Sequence, residues 1–352
     1  MSLSSLQERV RDAAARGAPL RIRGGGTKDF YGNPPRGETL DTRSHAGIVS
    51  YEPTELVVTA CCGTPLAELE AAIAEKRQWL PFEPPHFGAG ATLGGCVAAG
   101  LSGPARASAG PLRDFVLGAQ VLDGRGRVLS FGGQVMKNVA GYDVSRLLAG
   151  SMGTLGIVVQ ASLKVLPQAP AMLTLRQEMP QERAIEAFNG WAGKPLPISA
   201  TLWHDGAAFV RLSGSEAALR AAALRIGGDA VAAFEAAELW RSVREHGHAF
   251  FGGAQQLWRI ALPSCAAPLR LPGKELIEWG GGLRWLDSEA DAQAVRAAAT
   301  KAGGHATLFR APDKSPGAFT PLDPVALRLH KALKAVLDPA GIFNPGRMYP
   351  EL

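Results

Sequence analysis

The chain has 352 residues, 46% hydrophobic and 20% charged, which excludes a mainly disordered protein and leaves room for about two domains that need no disulfide or metal staple. Thirty-seven basic residues against 32 acidic ones give a net charge of +5, but the two signs are interspersed, so no nucleic-acid stripe is indicated. Cys61, Cys62, Cys96 and Cys265 form no C-x-x-C pair, which argues against a zinc site or iron–sulfur cluster in this chain and fits a reducing compartment.

The N-terminus lacks the apolar core of a signal peptide and carries Glu8 and Asp12. Leu3, Leu6, Val10, Ala13 and Ala14 recur at helical spacing until Gly17 and Pro19 stop the helix. Residues 20–23 read as a strand, broken at once by three glycines. Strands over 48–51 and 56–61 join across Pro53, and adjacent Cys61 and Cys62 should face opposite sides. Thr64 is read as the N-cap, with Pro65 at N1, of a helix reaching about Lys76. Residues 84–105 hold no charged side chain, yet six glycines cut them up, so a ligand loop is expected there and not a transmembrane segment. Strands over 115–122 and 127–131 flank Asp123-Gly124 as a hairpin, and the alternation from Ile157 to Val165 predicts a half-buried strand ending at Pro167.

Composition shifts after Pro167–Pro170. Strand 172–179, helix 181–191, strands 198–203 and 207–212 across Asp205-Gly206, and helix 216–226 follow the order of half a ferredoxin-like unit. A helix over 235–246, a strand over 257–262, strands on either side of Gly280–Gly282 and a helix capped by Ser288 complete this part. Residues 311–321 are loop-like, and a last helix spans 324–337. No internal repeat is legible. The expected organisation is α+β, with domains over 1–168 and 169–310 and a C-terminal segment, 311–352, that returns to the first.

Three segments carry chemistry. Arg23-Gly24-Gly25-Gly26-Thr27 directly follows a strand. Its glycines let consecutive N–H groups gather into a nest for phosphate or pyrophosphate oxygens, with the Thr27 hydroxyl as a further donor; a plain flexible turn is the competing reading. It is neither a G-x-G-x-x-G fingerprint nor a P-loop, since Asp29 stands in the third glycine's place and no G-K-[ST] occurs. The run from Gly88 to Pro104 is small enough for something large and flat to approach, or for tight helix packing. Lys137-Asn-Val-Ala-Gly-Tyr-Asp143 precedes Gly153-Thr154-Leu155-Gly156, which leads into a strand; Ser151 misses the G-x-S-x-G pattern because Ala149 replaces the first glycine.

The order R-G-G-G, A-T-L-G-G, G-T-L-G, with the closing Asp338-Pro-Ala-Gly-Ile-Phe-Asn-Pro-Gly-Arg347, resembles the FAD-binding superfamily of the vanillyl-alcohol oxidase and p-cresol methylhydroxylase type (PCMH-type). Within it, the chain is most similar to the FAD-binding subunits of glycolate oxidase. The resemblance implies a PCMH-type domain of two small α+β subdomains, then a ferredoxin-like-related lobe. It places the FAD pyrophosphate on Arg23, Gly24, Gly25, Gly26 and Thr27. Thr92, Gly94 and Gly95 would line the flavin side, Gly153, Gly156 and Ile157 would meet the adenosine end through main chain, and Asn344 would lie near the isoalloxazine. Thr27 stands where relatives place a flavin-linking histidine, so FAD is expected to be non-covalent; Cys96 is an unfavoured alternative.

No catalytic set is legible. Glu245-His246-Gly247-His248 puts its histidines two apart, which on a helix are different faces, so no metal is expected. His330 is a lone helical histidine, and Lys137 and Arg106 read as unpaired cations near the glycine-rich walls. The tryptophans Trp203, Trp240, Trp258, Trp279 and Trp285 cluster in the second lobe, as core or as an interface. The resemblance implies a subunit in the oxidation of glycolate or D-lactate, partnered by a larger FAD-containing catalytic subunit and an iron–sulfur subunit. The alternatives are an autonomous FAD-dependent 2-hydroxy-acid dehydrogenase, whose base would be sought among His248, His330 and Tyr142, and a non-catalytic scaffold. The expected location is the cytoplasm, peripheral to the inner face of the cell membrane through the complex.

Overall fold

A computed structural model describes residues 2–133 and 144–352, so the segment holding Lys137 and Tyr142 lies outside the described residues. In chain order the first elements are α1 (Leu3–Arg16), β1 (Leu20–Arg23), β2 (Glu38–Asp41), β3 (Ile48–Glu52), β4 (Val57–Cys61), α2 (Leu66–Ala74), β5 (Gln78–Trp79), α3 (Leu93–Ala99), α4 (Arg106–Ala109), β6 (Val116–Leu122), β7 (Val128–Gly132), α5 (Val144–Leu147), β8 (Ile157–Lys164) and β9 (Leu166–Pro167). Then come β10 (Ala171–Glu178), α6 (Gln181–Ala192), β11 (Ile198–His204), β12 (Ala207–Gly214), α7 (Glu216–Ile226), β13 (Asp229–Ala230), α8 (Ala233–Arg244), β14 (Leu257–Ala261), β15 (Lys274–Glu278), β16 (Leu283–Asp287), α9 (Ala292–Lys301), β17 (His305–Arg310) and α10 (Pro324–Leu337). The chain divides into two units: residues 1–101, 111–167 and 321–352, and residues 102–110 with 168–320.

The first unit contains a parallel pair, β1 with β2, and a five-stranded antiparallel sheet in the order β3-β4-β8-β6-β7. Helix α1 forms because Leu6, Val10 and Ala13 share one face, and Gly17 closes it in the left-handed conformation. That face packs on Leu20, Leu40, Leu122, Val159 and Phe343, with Leu6 and Val10 fully buried, each contributing about 1.5–3 kcal/mol. The central strand β8 is buried almost throughout, not half-buried as its alternation predicts, because Ile157 and Val159 join the core under α1 and α3 also lies against the strand. Thr64 caps no helix: its hydroxyl exchanges hydrogen bonds with the main chain of Gly47, leaving Pro65 as the cap of α2. The glycine-rich run is partly helix, since Thr92 caps α3 by accepting from the Gly95 N–H. No helix among the described residues is long and apolar enough to cross a membrane.

The second unit is one eight-stranded sheet in the order β13-β10-β12-β11-β15-β16-β14-β17. Numbering the strands of each half from its own start gives the order 4-1-3-2 twice, the ferredoxin-like arrangement, and the halves meet where β11 pairs with β15. The repeat is therefore structural although no repeat is legible in the sequence. Each half has its own core, α6 and α7 over the first and α9 over the second. Asp291, not Ser288, caps α9, accepting from the N–H groups of Gln293 and Ala294. Helix α8 ends at Arg244, two residues before the predicted end at His246, which takes a positive φ of 57° in the turn beyond.

Candidate functional site

Within the first unit, an open cleft with a cavity of about 100 Å³ lies beside the loop that leaves β1. Arg23, Gly24, Gly25, Gly26 and Thr27 form one wall; Thr92, Gly95, Ala98 and Ala99 of the α3 segment form another; Met152, Asn344 and Arg347 come from later in the chain. The parallel pairing of β1 with β2 holds the strand end in place, and the chain then turns without a helix or strand to occupy its N–H groups. Among the described residues, no acceptor is found for the main-chain N–H groups of Gly24, Gly25, Gly26 and Thr27. Four successive unsatisfied donors in one cleft are an anion cradle.

Two glycines make that cradle possible. A Cβ on Gly25 would stand 1.4 Å from the Gly90 carbonyl oxygen, so the loop is pressed against residues 88–90 too closely for any side chain. Gly26 has φ of +75°, and a Cβ there would meet the Arg23 guanidinium at 2.0 Å. Gly26 thus takes the left-handed conformation expected of the loop, whereas Gly25 is required by close approach.

The charges around the cradle are fixed by pairing. Asp29 accepts from Arg21 at 2.5 Å and from Arg23 at 2.8 Å, the two arginines sharing a face because they are two apart on β1. Lys28 reaches the His86 carbonyl at 3.2 Å. Arg347 is buried and donates to the carbonyls of Asn33 and Asp29; burial lowers its pKa to about 10, which leaves it charged at neutral pH. Arg23, Lys28 and Arg347 against Asp29 give the cleft a positive balance.

Asn344 is a backbone clamp. Its Oδ1 accepts from the Ile22 N–H at 2.8 Å and its Nδ2 donates to the Met152 carbonyl at 2.7 Å. Behind it, Asp338 accepts from the N–H groups of Ile342 and Phe343 and pairs with the buried Lys334 at 3.0 Å; Lys334 also donates to the carbonyls of Thr154 and Phe343. The closing signature therefore fastens the tail to β1 and to residues 152–154.

Eight of the twelve residues named from sequence line the cleft: Arg23, Gly24, Gly25, Gly26, Thr27, Thr92, Gly95 and Asn344. Four do not. The Gly94 N–H bonds the Cys62 carbonyl, Gly153 packs behind the Asn344 amide, and Gly156 and Ile157 lie against Val121 and Leu122. Cys96 is turned inward, and burial pushes its thiol up to about 12, which makes it unreactive as a flavin anchor. The lining residues missed in the sequence are Ile22, Lys28, Asp29, Tyr31, Ala98, Ala99, Met152 and Arg347. The R-x-R alternation with an acid six residues on was the one available signal for the Arg21–Asp29–Arg23 cluster.

In the second unit the histidines serve packing. His246 stacks on Phe251 at 3.9 Å between centroids and meets Trp285 edge-on at 4.6 Å; burial holds its pKa well below the ordinary value. His248 accepts from the Phe250 N–H. No three metal-ligating side chains gather among the described residues. In the first unit, His330 Nδ1 lies 2.8 Å from the Ala326 carbonyl, outside the cleft lining. Arg106 is not an unpaired cation: it lies 4.4 Å over the Trp279 ring, with Arg259 at 5.2 Å. Trp240, Trp258, Trp279 and Trp285 are buried, so they are core and not an exposed interface.

Residues 2–132 match the family model described as FAD binding domain, and residues 313–348 match the C-terminal domain of FAD linked oxidases. The chain is 49% identical over 348 residues to glycolate oxidase subunit GlcE of Escherichia coli (strain K12), covering 99% of this chain and 97% of that protein. The chain belongs to the GlcE family of glycolate oxidase subunits. As a member of this family it is an FAD-dependent oxidoreductase component, and FAD is its cofactor. It is also 34% identical to D-lactate dehydrogenase of Archaeoglobus fulgidus over 189 residues, 51% of this chain and 41% of that one. Glycolate oxidase subunit GlcD of Bacillus subtilis is 32% identical over 159 residues, 45% of this chain and 34% of its own length. Alkyldihydroxyacetonephosphate synthase superposes with a TM-score of 0.68 over 97% of this chain and 75% of that chain at 15% identity, a likeness of fold. The PCMH-type architecture expected from the glycine motifs is thus the one observed.

Proposed function

We propose that the chain holds FAD non-covalently in the cleft around Gly24–Gly26 and works as an electron-transferring subunit of a complex that oxidises glycolate or D-lactate. The observation that carries this reading is the cradle of four unsatisfied N–H groups where Gly25 has no room for a side chain. The residues fit a dinucleotide diphosphate: main-chain donors take its oxygens, and Arg23, Lys28 and Arg347 balance its charge. Bound there, FAD supplies a two-electron acceptor. Asn344 fixes the distance between β1 and residues 152–154, and Thr92 fixes the start of α3. In this reading residues 1–168 with the return 311–352 form the flavin domain, and 169–310 the partner lobe.

The partners in this reading are a larger FAD-containing catalytic subunit of the GlcD kind and an iron–sulfur subunit that carries electrons onward. Among the described residues lining the cleft, Asp29 is the one carboxylate, and two guanidinium groups hold it, so the cleft offers no free base for the substrate hydroxyl. The chain alone should therefore oxidise glycolate at least about 10²-fold more slowly than the complex. The complex would sit in the cytoplasm, at the inner face of the membrane through its other subunits. The test is acid precipitation of the purified chain followed by turnover with an artificial acceptor, alone and in complex. Flavin released to the supernatant and slow turnover of the chain alone are expected. Flavin kept in the pellet refutes non-covalent binding, and equal turnover makes the chain an autonomous dehydrogenase.

A further inference from the structure

Asp29 is a carboxylate in the lining of a cleft suited to an anion, where its charge alone works against binding. Its contacts tie it to four groups around the cradle. Its N–H donates to the Gly26 carbonyl at 3.1 Å, closing a turn over 26–29, and its own carbonyl accepts from the buried Arg347 at 2.9 Å. Its Oδ2 accepts from Arg21 Nη2 at 2.5 Å and from Arg23 Nε at 2.8 Å. Partly exposed ion pairs of this kind add little to stability, so their larger effect is on orientation. The main chain of Arg23 is fixed separately, its carbonyl accepting from the Thr42 N–H at 3.0 Å. Its side chain has Asp29 as its one hydrogen-bond acceptor among the described residues, which leaves both Nη groups without one. Nη2 lies against Gly26, where an added Cβ would fall 2.0 Å from it. The guanidinium is thus held by Nε beside the glycine loop, with two Nη groups open to the oxygens of a ligand.

We propose that Asp29 is a positioning residue for FAD: anchored by Arg21, its carboxylate fixes the Arg23 guanidinium so that the Nη groups meet the diphosphate already oriented. The proposal rests on the reading that the diphosphate lies on Gly24–Gly26. Asp29 then acts in two directions. Its charge repels the ligand, and its hold on Arg23 removes the cost of ordering a long side chain on binding, which is a factor of about three to ten in affinity. The two effects separate by chemistry, because an amide at this position keeps an oxygen for Arg23 Nε and drops the charge.

The experiment titrates FAD into the full chain stripped of flavin and compares Asp29→Ala and Asp29→Asn, each alone and together with Arg23→Gln. Asp29→Asn should bind FAD at least as tightly as wild type, and Asp29→Ala about three- to tenfold more weakly. Arg23→Gln should itself weaken FAD by at least about tenfold. In that background only the repulsion remains, so there Asp29→Ala should leave the affinity unchanged or raise it. Thermal midpoints of the flavin-free variants are read alongside, and Asp29→Ser, whose hydroxyl is one atom shorter than the carboxylate, takes the place of Asp29→Ala if that variant does not fold. Equal tightening by Asp29→Ala and Asp29→Asn makes Asp29 a repelling charge only, and an equal loss from Asp29→Ala in both backgrounds makes it a part of the fold. Either result overturns the proposal and leaves the cleft in place. Arg23→Gln and Gly25→Val chains that both bind FAD as wild type does remove the diphosphate from the cleft, and the proposal with it.

Discussion

Around Gly24–Gly26 the first unit leaves main-chain donors without acceptors and keeps the space before them open. Around His246 the second unit fills its space with rings: Phe251, Trp285 and Phe309 all lie within 5.4 Å of the imidazole centroid. Both regions are rich in residues that a sequence reader would call functional. What separates them is packing. Burial among rings holds the His246 imidazole neutral and out of reach, whereas the half-exposed N–H groups of the glycine loop face open space that a ligand can enter.

The sharpest way to break this contrast is Gly25→Val. With the loop forced off Gly90, loss of even two charge-assisted hydrogen bonds at about 1.5 kcal/mol each would weaken FAD by more than a hundredfold. Flavin titration of the variant reads this, and unchanged affinity would remove the loop from the site. Next is Lys334→Met, which leaves Asp338 buried without its cation and should cost about 3–5 kcal/mol in denaturant unfolding. The double variant with Asp338→Asn should recover part of that loss, since the unpaired charge is then gone.

The aromatic cluster answers to pH. His246 has a depressed pKa when folded, so the unfolded chain binds the extra proton first. Its contribution is fully present above the ordinary histidine value of 6.5 and is lost as pH falls from there towards the folded value, by up to about 1.4 kcal/mol per pH unit. His246→Phe should flatten stability over that window relative to wild type; parallel curves would place the titration elsewhere, for instance at His248 or His305, which burial also lowers. The smallest effect belongs to Gly190→Ala. A Cβ there meets nothing within 4 Å inside α6, so stability should rise by about 0.5–1 kcal/mol.

Local signals in the sequence located most elements. Helices α7 and α10 and strand β1 have the predicted bounds because each carries its own stop signal, Gly227, Asp338-Pro339 and Gly24 respectively. Strands β2 and β17 were not legible: Glu38–Asp41 is stabilised by pairing with β1 and Leu40 burial, and His305–Arg310 by pairing with β14, neither being a local property. The site followed the same rule. The glycine loop announces itself in one stretch of chain, but Met152 and Arg347 enter the cleft only through the tertiary fold. Gly94, Gly153 and Gly156 sit in motifs that resemble ligand loops, and in the fold a side chain at each would run into its neighbours: Cys62 for Gly94, the Asn344 amide for Gly153, and Val121 with the Leu122 carbonyl for Gly156.

The first unit is assembled from three stretches of chain, and the last of them, residues 321–352, delivers Asn344 and Arg347. On the ribosome these arrive after the whole of the second unit, whose own contacts are complete by Thr320. At roughly 5–20 residues per second, the stretch from Gly26 to Arg347 separates loop and clasp by some tens of seconds. Until then β1 lacks the bridge from Leu20 to Phe343 and the hydrogen bond from Ile22 to Asn344. On the proposed reading FAD meets a complete site only when synthesis is finished, so chains truncated before Asn344 are expected to retain no flavin.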